Sequence, residues 1–302
     1  MGWLLLGIVI GIGLPVQTGV NTRLRDQLGT WRASCTSFAI GSGCLLVGWG
    51  VTAPMVRPVA WAQLACQPGW LWLGGLLGVA YLTGNLLLFL RLGAVQTVLF
   101  PIAGQVLMGL LIDQFGWFQA ARVPLTGWRV AGALLVMAGI TLTVITPQSP
   151  RVTTQPRAWG WQLLGILLGM LSASQTAING RLGLVLHSAV AAALISFLVG
   201  TAALALIVGL ARTSTPVHHP VTPWWAWTGG FLGALYVLGN VSLMQRLGTG
   251  LTVMIVLVGL VTGSLLIDQL GWLGAPKRAV TSRQLVGLSL MLIGVAAIRL
   301  IG

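Results

Sequence analysis

Few side chains in this sequence can do chemistry, and those that can are arranged twice. Asp26, Asp113 and Asp268 are the whole acidic complement, and there is no Glu. His187, His218 and His219 are the only histidines. Cys35, Cys44 and Cys66 are the only cysteines, with no Cys-x-x-Cys among them. Neither set has the spacing of a metal site, so no metal and no cofactor is expected. The sequence has no His-Glu-x-x-His, no Gly-x-Ser-x-Gly and no Gly-rich phosphate loop, and an enzyme or ATPase is not expected.

What remains is amides. Gln17 and Asn21 lie in Gln-Thr-Gly-Val-Asn-Thr-Arg-Leu at 17–24, and Gln175 and Asn179 in Gln-Thr-Ala-Ile-Asn-Gly-Arg-Leu at 175–182. On a helix, residues four apart share a face. Amides in hydrocarbon must find partners, so these either join helices or line a polar cavity, and both readings stand. Asn85 and Asn240 occupy equivalent places in two further apolar segments. The expected substrate-binding set is Gln17, Asn21, Asn85, Gln175, Asn179 and Asn240. Gln105 is a weaker candidate, because Leu260 stands at its repeat position.

Asp113 and Asp268 are also equivalent, each within Ile-Asp-Gln-x-Gly-Trp at the end of an apolar segment. A turn at the membrane interface and a role in coupling or gating are the two readings. Asp26, in a loop beside Arg23 and Arg25, reads as their solvated partner. No carboxylate falls in the middle of an apolar segment, which suits neutral or zwitterionic ligands better than hydrophobic cations.

The elements that must position these groups are membrane helices. The chain is 56% hydrophobic and 6% charged, with a mean hydropathy of +0.94; an ordinary soluble domain carries about 25% charged residues. Ten apolar segments fall at about 3–21, 33–51, 70–90, 93–112 and 128–146, then about 159–179, 189–210, 224–244, 250–267 and 284–301. Tryptophans gather at their ends, as at Trp70 and Trp72 or Trp224, Trp225 and Trp227. The first segment lacks a basic n-region and a cleavage site, so it reads as a retained helix. The net charge of +13 comes from basic residues scattered singly through short loops, which points to lipid headgroups and topology, not nucleic acid.

The halves align beyond the amides. Gly74-Gly75 with Gly78 and Tyr81 recurs as Gly229-Gly230 with Gly233 and Tyr236. Ser37-Phe38 with Gly41 recurs as Ser196-Phe197 with Gly200. Gly7 and Gly11 recur as Gly165 and Gly169, a spacing that lets helices cross closely. Pro15 and Pro101 have no counterparts; a kink at Pro15 is expected. The sequence therefore predicts an all-α integral membrane protein of ten transmembrane helices, arranged as two inverted five-helix repeats. The first repeat is 1–146, a proline-rich linker is 147–158, and the second repeat is 159–302. An odd number of helices per unit forces opposite orientations. Arg23, Arg25 and Arg32 follow the first helix but only Arg181 follows its copy. Arg122 and Arg129 precede the fifth, against Lys277, Arg278 and Arg283 before the tenth. The positive-inside rule then puts both termini outside.

At the duplicated Gln-x-x-x-Asn-x-x-Leu, Gly-Gly-x-x-Gly and Ile-Asp-Gln-x-Gly-Trp, the sequence resembles the drug/metabolite transporter superfamily. Within it, the sequence is most similar to the YdcZ-like branch of bacterial inner-membrane proteins, whose five-helix units occur singly or fused in tandem. The resemblance covers both halves. It implies a central cavity between inverted units in a multi-pass inner-membrane protein. It departs from the superfamily's small cation/proton exchangers, which carry a mid-membrane Glu in the first helix where Gln17 stands here. The expected function is secondary, not ATP-driven, transport of a small polar or amphipathic metabolite by alternating access, with export the expected direction. The alternative is a non-transporting membrane scaffold or subunit with the amides as interhelical glue. The expected partners are the small-molecule substrate and the bilayer, as a monomer or homodimer, with proton or ion coupling left open.

Overall fold

A computed structural model describes residues 2–52, 67–144, 158–210, 223–274 and 280–298. The expected linker over 147–158, but for Ala158, which begins α5, lies outside the described residues, as do Cys66, His218 and His219. Among the described residues every regular element is helical. The eight α-helices are α1 (Gly2–Leu28), α2 (Thr30–Thr52), α3 (Leu73–Phe115), α4 (Gly127–Val144), α5 (Ala158–Val185), α6 (Ala189–Leu210), α7 (Gly229–Leu270) and α8 (Ser282–Ala296). Short 3₁₀ turns precede α3 and α7 and follow them.

The third and fourth expected segments run together in α3, and the eighth and ninth in α7. A straight helix of 43 residues would be about 65 Å long, twice a bilayer's hydrocarbon core. Instead α3 folds back. A Cβ placed on Gly165 of α5 would lie 3.5 Å from Leu88 Cδ1 and 2.8 Å from Phe100 Cβ. Along a straight helix those two residues would stand about 18 Å apart. α7 folds back around Gly7 of α1 in the same way, through Leu243 at 3.4 Å and Ile255 at 2.5 Å. The two arms of α3, counted from Gly69–Leu92 and Gln96–Phe115, are each long and apolar enough to cross a membrane. Near each bend a cation stacks on an aromatic ring of the other half: Arg91 on Trp161 at 5.4 Å, and Arg246 on Trp3 at 4.8 Å.

Two expectations need correction. α1 reaches Leu28 and α5 reaches Val185, so the Gln/Asn motifs lie inside helices, not at their exits. α1 contains Pro15 within its span. Arg25 is accordingly no loop residue. It is buried, its Nη1 donates to the Leu86 carbonyl of α3 at 2.9 Å, and its Nη2 donates to Asp26 at 2.5 Å. Asp26 is therefore the partner of a buried guanidinium.

The halves interlock by exchanging partners. α1 packs on α7, α5 on α3, α2 on α6, and α4 on α8. Glycine makes the close crossings: a Cβ on Gly11 would sit 2.8 Å from the Gly259 Cα, and one on Gly169 2.7 Å from the Pro101 Cα. Equivalent residues meet in pairs. The Phe38 and Phe197 rings are 4.9 Å apart, and the Ser42 and Thr201 hydroxyls 2.9 Å apart. On α4 and α8, Gly132 faces the backbone of Gly294 while Gly139 faces that of Gly287. The repeat matches Gly132 to Gly287 and Gly139 to Gly294, so this is the reciprocal contact of a two-fold axis, with the two helices running antiparallel.

The outer surface is aliphatic. Leu5, Val9, Val47, Leu134 and Leu206 are exposed, and exposed Trp128, Trp159 and Trp224 stand at element starts. Water would disfavour so continuous an apolar surface; a bilayer with an interfacial aromatic belt accepts it.

Candidate functional site

A cavity of about 570 Å³ opens between the halves at the C-terminal end of α5. Ser172, Thr176, Gly180 and Arg181 of α5 form one wall, and helical spacing puts the first three on one face. Gln105 and Asp113 of α3, Arg129 of α4 and the turn at Phe118–Val123 form the second. Tyr236, Asn240 and Met244 of α7 form the third, again one turn apart. The polar groups of the wall are partly committed. Gln105 Nε2 donates to Ser172 Oγ at 3.4 Å, and Thr176 Oγ1 donates to the Ser172 carbonyl at 2.9 Å. Asn240 Nδ2 donates to the Tyr236 carbonyl at 2.8 Å, and the residue lines the cavity.

Two guanidinium groups and one carboxylate line this space. Arg129 is 2% exposed; its Nη2 donates to Asp113 Oδ2, and its Nη1 to the Val123 carbonyl at 2.9 Å. The pair ties α4 to the end of α3. Arg181 differs. No carboxylate pairs with it among the described residues, and its Nε, like that of Arg129, is buried with no acceptor there.

The sequence-derived candidates divide sharply. Of the six amides only Asn240 lines the cavity. Asn85 borders a void of about 10 Å³ with Thr18 and Tyr81. The other four seat on the Gly-Gly-x-x-Gly segment of the opposite half. Gln17 Nε2 would be 2.5 Å from a Cβ on Gly233, and Gln175 Nε2 2.6 Å from one on Gly78. Asn21 and Asn179 would collide with a Cβ on Gly229 and Gly74 respectively. Asn179 Nδ2 donates to Ser196 Oγ at 3.2 Å, whereas neither polar atom of the fully buried Asn21 has a partner among the described residues. Asp113 lies in the cavity wall; the side chain of Asp268, near the end of α7, is outside the described set. Sequence reading passed over Arg129 and Arg181 by counting them as topology signals. The clue to Arg129 was its repeat position, where Gln284 replaces it and caps α8 in place of a charge.

The repeat supplies an image of this cavity on the other face, and there it is shut. Leu14, Thr18, Tyr81, Asn85 and Phe89 occupy the positions of Ser172, Thr176, Tyr236, Asn240 and Met244. They border voids of only about 20 and 10 Å³. A latch closes this side. Arg23 Nε donates to the Leu273 carbonyl at 3.2 Å, and the Leu273 side chain abuts Gly19, where a Cβ would be 2.6 Å away. The open side has the same parts undone. Arg181 and Phe118 are the counterparts of Arg23 and Leu273, no such bond joins them, and the Phe118 ring rests on Trp70 at 5.6 Å.

The duplicated Ile-Asp-Gln-x-Gly-Trp builds both latch turns. Gly116 at φ 65° and Gly271 at φ 67° end α3 and α7 as left-handed caps, their N–H groups donating to Ile112 and Ile267. Phe118 and Leu273 follow at φ 57° and 58°, a region that non-glycine residues enter only where surrounding structure holds them.

Comparison with known proteins agrees with this architecture. The family model described as "Putative inner membrane exporter, YdcZ" matches the chain twice, over residues 2–142 and 160–297. The crystal structure of a protein 17% identical in sequence superposes with a TM-score of 0.67, covering 99% of this chain and 96% of the other, which shows a shared fold. No curated protein matches. The chain belongs to the YdcZ family as two tandem units, and is a multi-pass inner-membrane transporter and not an enzyme.

Proposed function

We propose that this YdcZ-family protein is a secondary transporter of small amphipathic metabolites. It works by alternating access between two inverted halves, and the 570 Å³ cavity is its cargo site. One observation carries the reading: a single set of duplicated parts is open at one mouth and latched at the other. Rocking the halves about their common axis exchanges the two conditions without new structure, as inverted repeats allow. The antiparallel crossing of α4 and α8 supports the inversion, since an axis perpendicular to membrane-spanning helices lies in the membrane plane. The volume falls within the range of about 300–1,000 Å³ usual for small-molecule sites.

Cargo contacts in the present state fall to Asn240, Thr176, Ser172 and Gln105. When the other mouth opens, Asn85 and Thr18 take the equivalent place. Gln17, Asn21, Gln175 and Asn179 act as packing at the crossings between the halves, on which rocking turns. Asp113, through Arg129, holds the turn that forms one gate, and Asp268 stands at the matching position of the other. With both termini outside, as the arginine distribution favours, the cavity faces the periplasm, the release side for an exporter.

Cysteine accessibility tests this. In a background carrying Cys35→Ser, Cys44→Ser and Cys66→Ser, Ala177→Cys samples the open mouth and Thr18→Cys the shut one. Membrane-impermeant thiol reagents should reach the first from one face and the second, more slowly, from the other. Reaction of both from one face, or of neither, rejects alternating access.

A further inference from the structure

The charge balance of the cavity identifies what its cargo must carry. Arg129 and Asp113 neutralise one another, and Arg129 also holds the Val123 carbonyl, so this pair offers a ligand no net charge. Arg181 is the remaining cation of the wall. No carboxylate accepts from it among the described residues, and its Nε is buried without an acceptor. An unanswered donor in a partly dehydrated wall is costly, and a guanidinium bearing five donors is suited to an anionic oxygen pair. The repeat explains why Arg181 is vacant here. On the latched side Arg23 spends its Nε on the Leu273 carbonyl; on the open side the equivalent carbonyl, that of Phe118, receives no such bond.

From these observations we infer that Arg181 anchors an anionic group of the cargo, a carboxylate or phosphate, while Leu184, Met244 and Leu257 hold an apolar body. The inference rests on the cavity being the cargo site. Closure over bound cargo needs no exchange of partners. Nε turns to the Phe118 carbonyl as Arg23 Nε does to that of Leu273, and Nη1 and Nη2 keep the anion. A cationic amine has no free counter-charge in the described wall, because Asp113 is held by Arg129.

The test reads the charge at the site without knowing the cargo. Ala177→Cys, one helical turn from Arg181 on the cavity face, is labelled in nanodiscs with two methanethiosulfonates of opposite charge, sulfonatoethyl and trimethylammonioethyl. A single positive charge roughly 8 Å away should favour the anionic reagent at least about fivefold over its ratio in the Arg181→Gln variant, even at water-like screening. Arg181→Lys should retain the preference, and molar salt should erase it. A ratio unchanged by Arg181→Gln overturns the anchor and leaves the cavity as cargo site. Failure of both reagents to react overturns the cargo-site reading itself. If Arg181→Gln does not fold, a ratio near unity in the protein with Arg181 intact overturns the anchor, and a preference that salt removes supports it. Discs of phosphatidylcholine are compared with discs containing phosphatidylglycerol. A preference kept in both supports a water-soluble anion. One lost only with phosphatidylglycerol gives the anchor to a lipid headgroup and overturns the assignment to cargo.

Discussion

Loosening the Arg23 latch should open the shut mouth, and the size of the effect follows from what the latch contains. Its polar part is one hydrogen bond of 3.2 Å, from a charged donor to a backbone carbonyl at an exposed position. Bonds to charged groups contribute about 1.5–3 kcal/mol net, and exposure and length put this one at the lower end, about 1.5 kcal/mol. Its apolar part is the Leu273 side chain lying where a Cβ on Gly19 would be 2.6 Å away. Arg23→Gln removes most of the first part, so the mouth-exchanged state should gain about 1 kcal/mol, or roughly fivefold in population. Gly19→Ala pushes Leu273 off its seat, and overpacking of this kind costs about 1–3 kcal/mol. The two changes act through the same residue, so together they should yield less than their sum. The assay is the labelling rate of Thr18→Cys. If the exchanged state is a minor one, a fivefold gain multiplies that rate by five while the Ala177→Cys rate falls only slightly. This asymmetry between the two reporters distinguishes a shift of populations from general loosening, which would speed both. A Thr18→Cys rate unchanged by Arg23→Gln would refute the latch; equal acceleration of both sites would refute the two-state exchange.

Three further outcomes test the packing that supports the site. Arg129→Gln should destabilise the protein in detergent by about 3–5 kcal/mol, because Asp113 loses its counter-charge in a buried wall, and pairing it with Asp113→Asn should recover much of the loss; thermal unfolding measures both, and a double variant weaker than the single one contradicts the ion-pair account. Asn179→Leu should cost about 0.6 kcal/mol or more through its bond to Ser196, whereas Asn21→Leu should be near neutral, since the buried Asn21 amide has no partner among the described residues; the reverse order in melting temperature would show that the amides do not act as packing. Gly139→Ala should cost about 1–3 kcal/mol by driving α4 from the Gly287 backbone, while Gly13→Ala, with nothing within 4 Å of its Cβ, should stabilise α1 by up to about 1 kcal/mol; similar melting temperatures for the two would remove the reciprocal α4–α8 contact from the account.

How far the sequence could be read depends on which features obey the duplication. The pairing of Gly74, Gly78, Gly229 and Gly233 with Asn179, Gln175, Asn21 and Gln17 involves residues that occur twice, so both motifs were visible in the sequence. Their partnership was not, because each motif finds its mate in the other half and no local pattern records that exchange. The bends in α3 and α7 fall near Arg91 and Arg246, at the gaps between the third and fourth and between the eighth and ninth expected segments. What the sequence did not show is that each pair is one continuous helix, because only an ordinary Arg-Leu-Gly stands at each bend. The site obeys the duplication at Thr176, Tyr236 and Asn240 and departs from it elsewhere. Ser172 faces the cavity where Leu14 fills a closed wall, Gln105 stands against Leu260, and Arg129 against Gln284. A motif search rewards what recurs, and so it favoured the amides that hold the halves together over the unmatched residues that line the space between them. The same physics gives the unmatched residues their meaning. Two halves related by symmetry would offer cargo equal walls in both states; differences at 14/172, 105/260 and 129/284 make the two mouths chemically unequal. A carrier with a hydroxyl, an amide and a tethered guanidinium at one mouth, and two leucines and a capping Gln284 at the other, binds a polar cargo more weakly when the leucine side is open. The bias toward one face therefore resides in the positions where the repeat has diverged, and exchanging Leu14→Ser with Ser172→Leu should invert the relative affinity of the two faces.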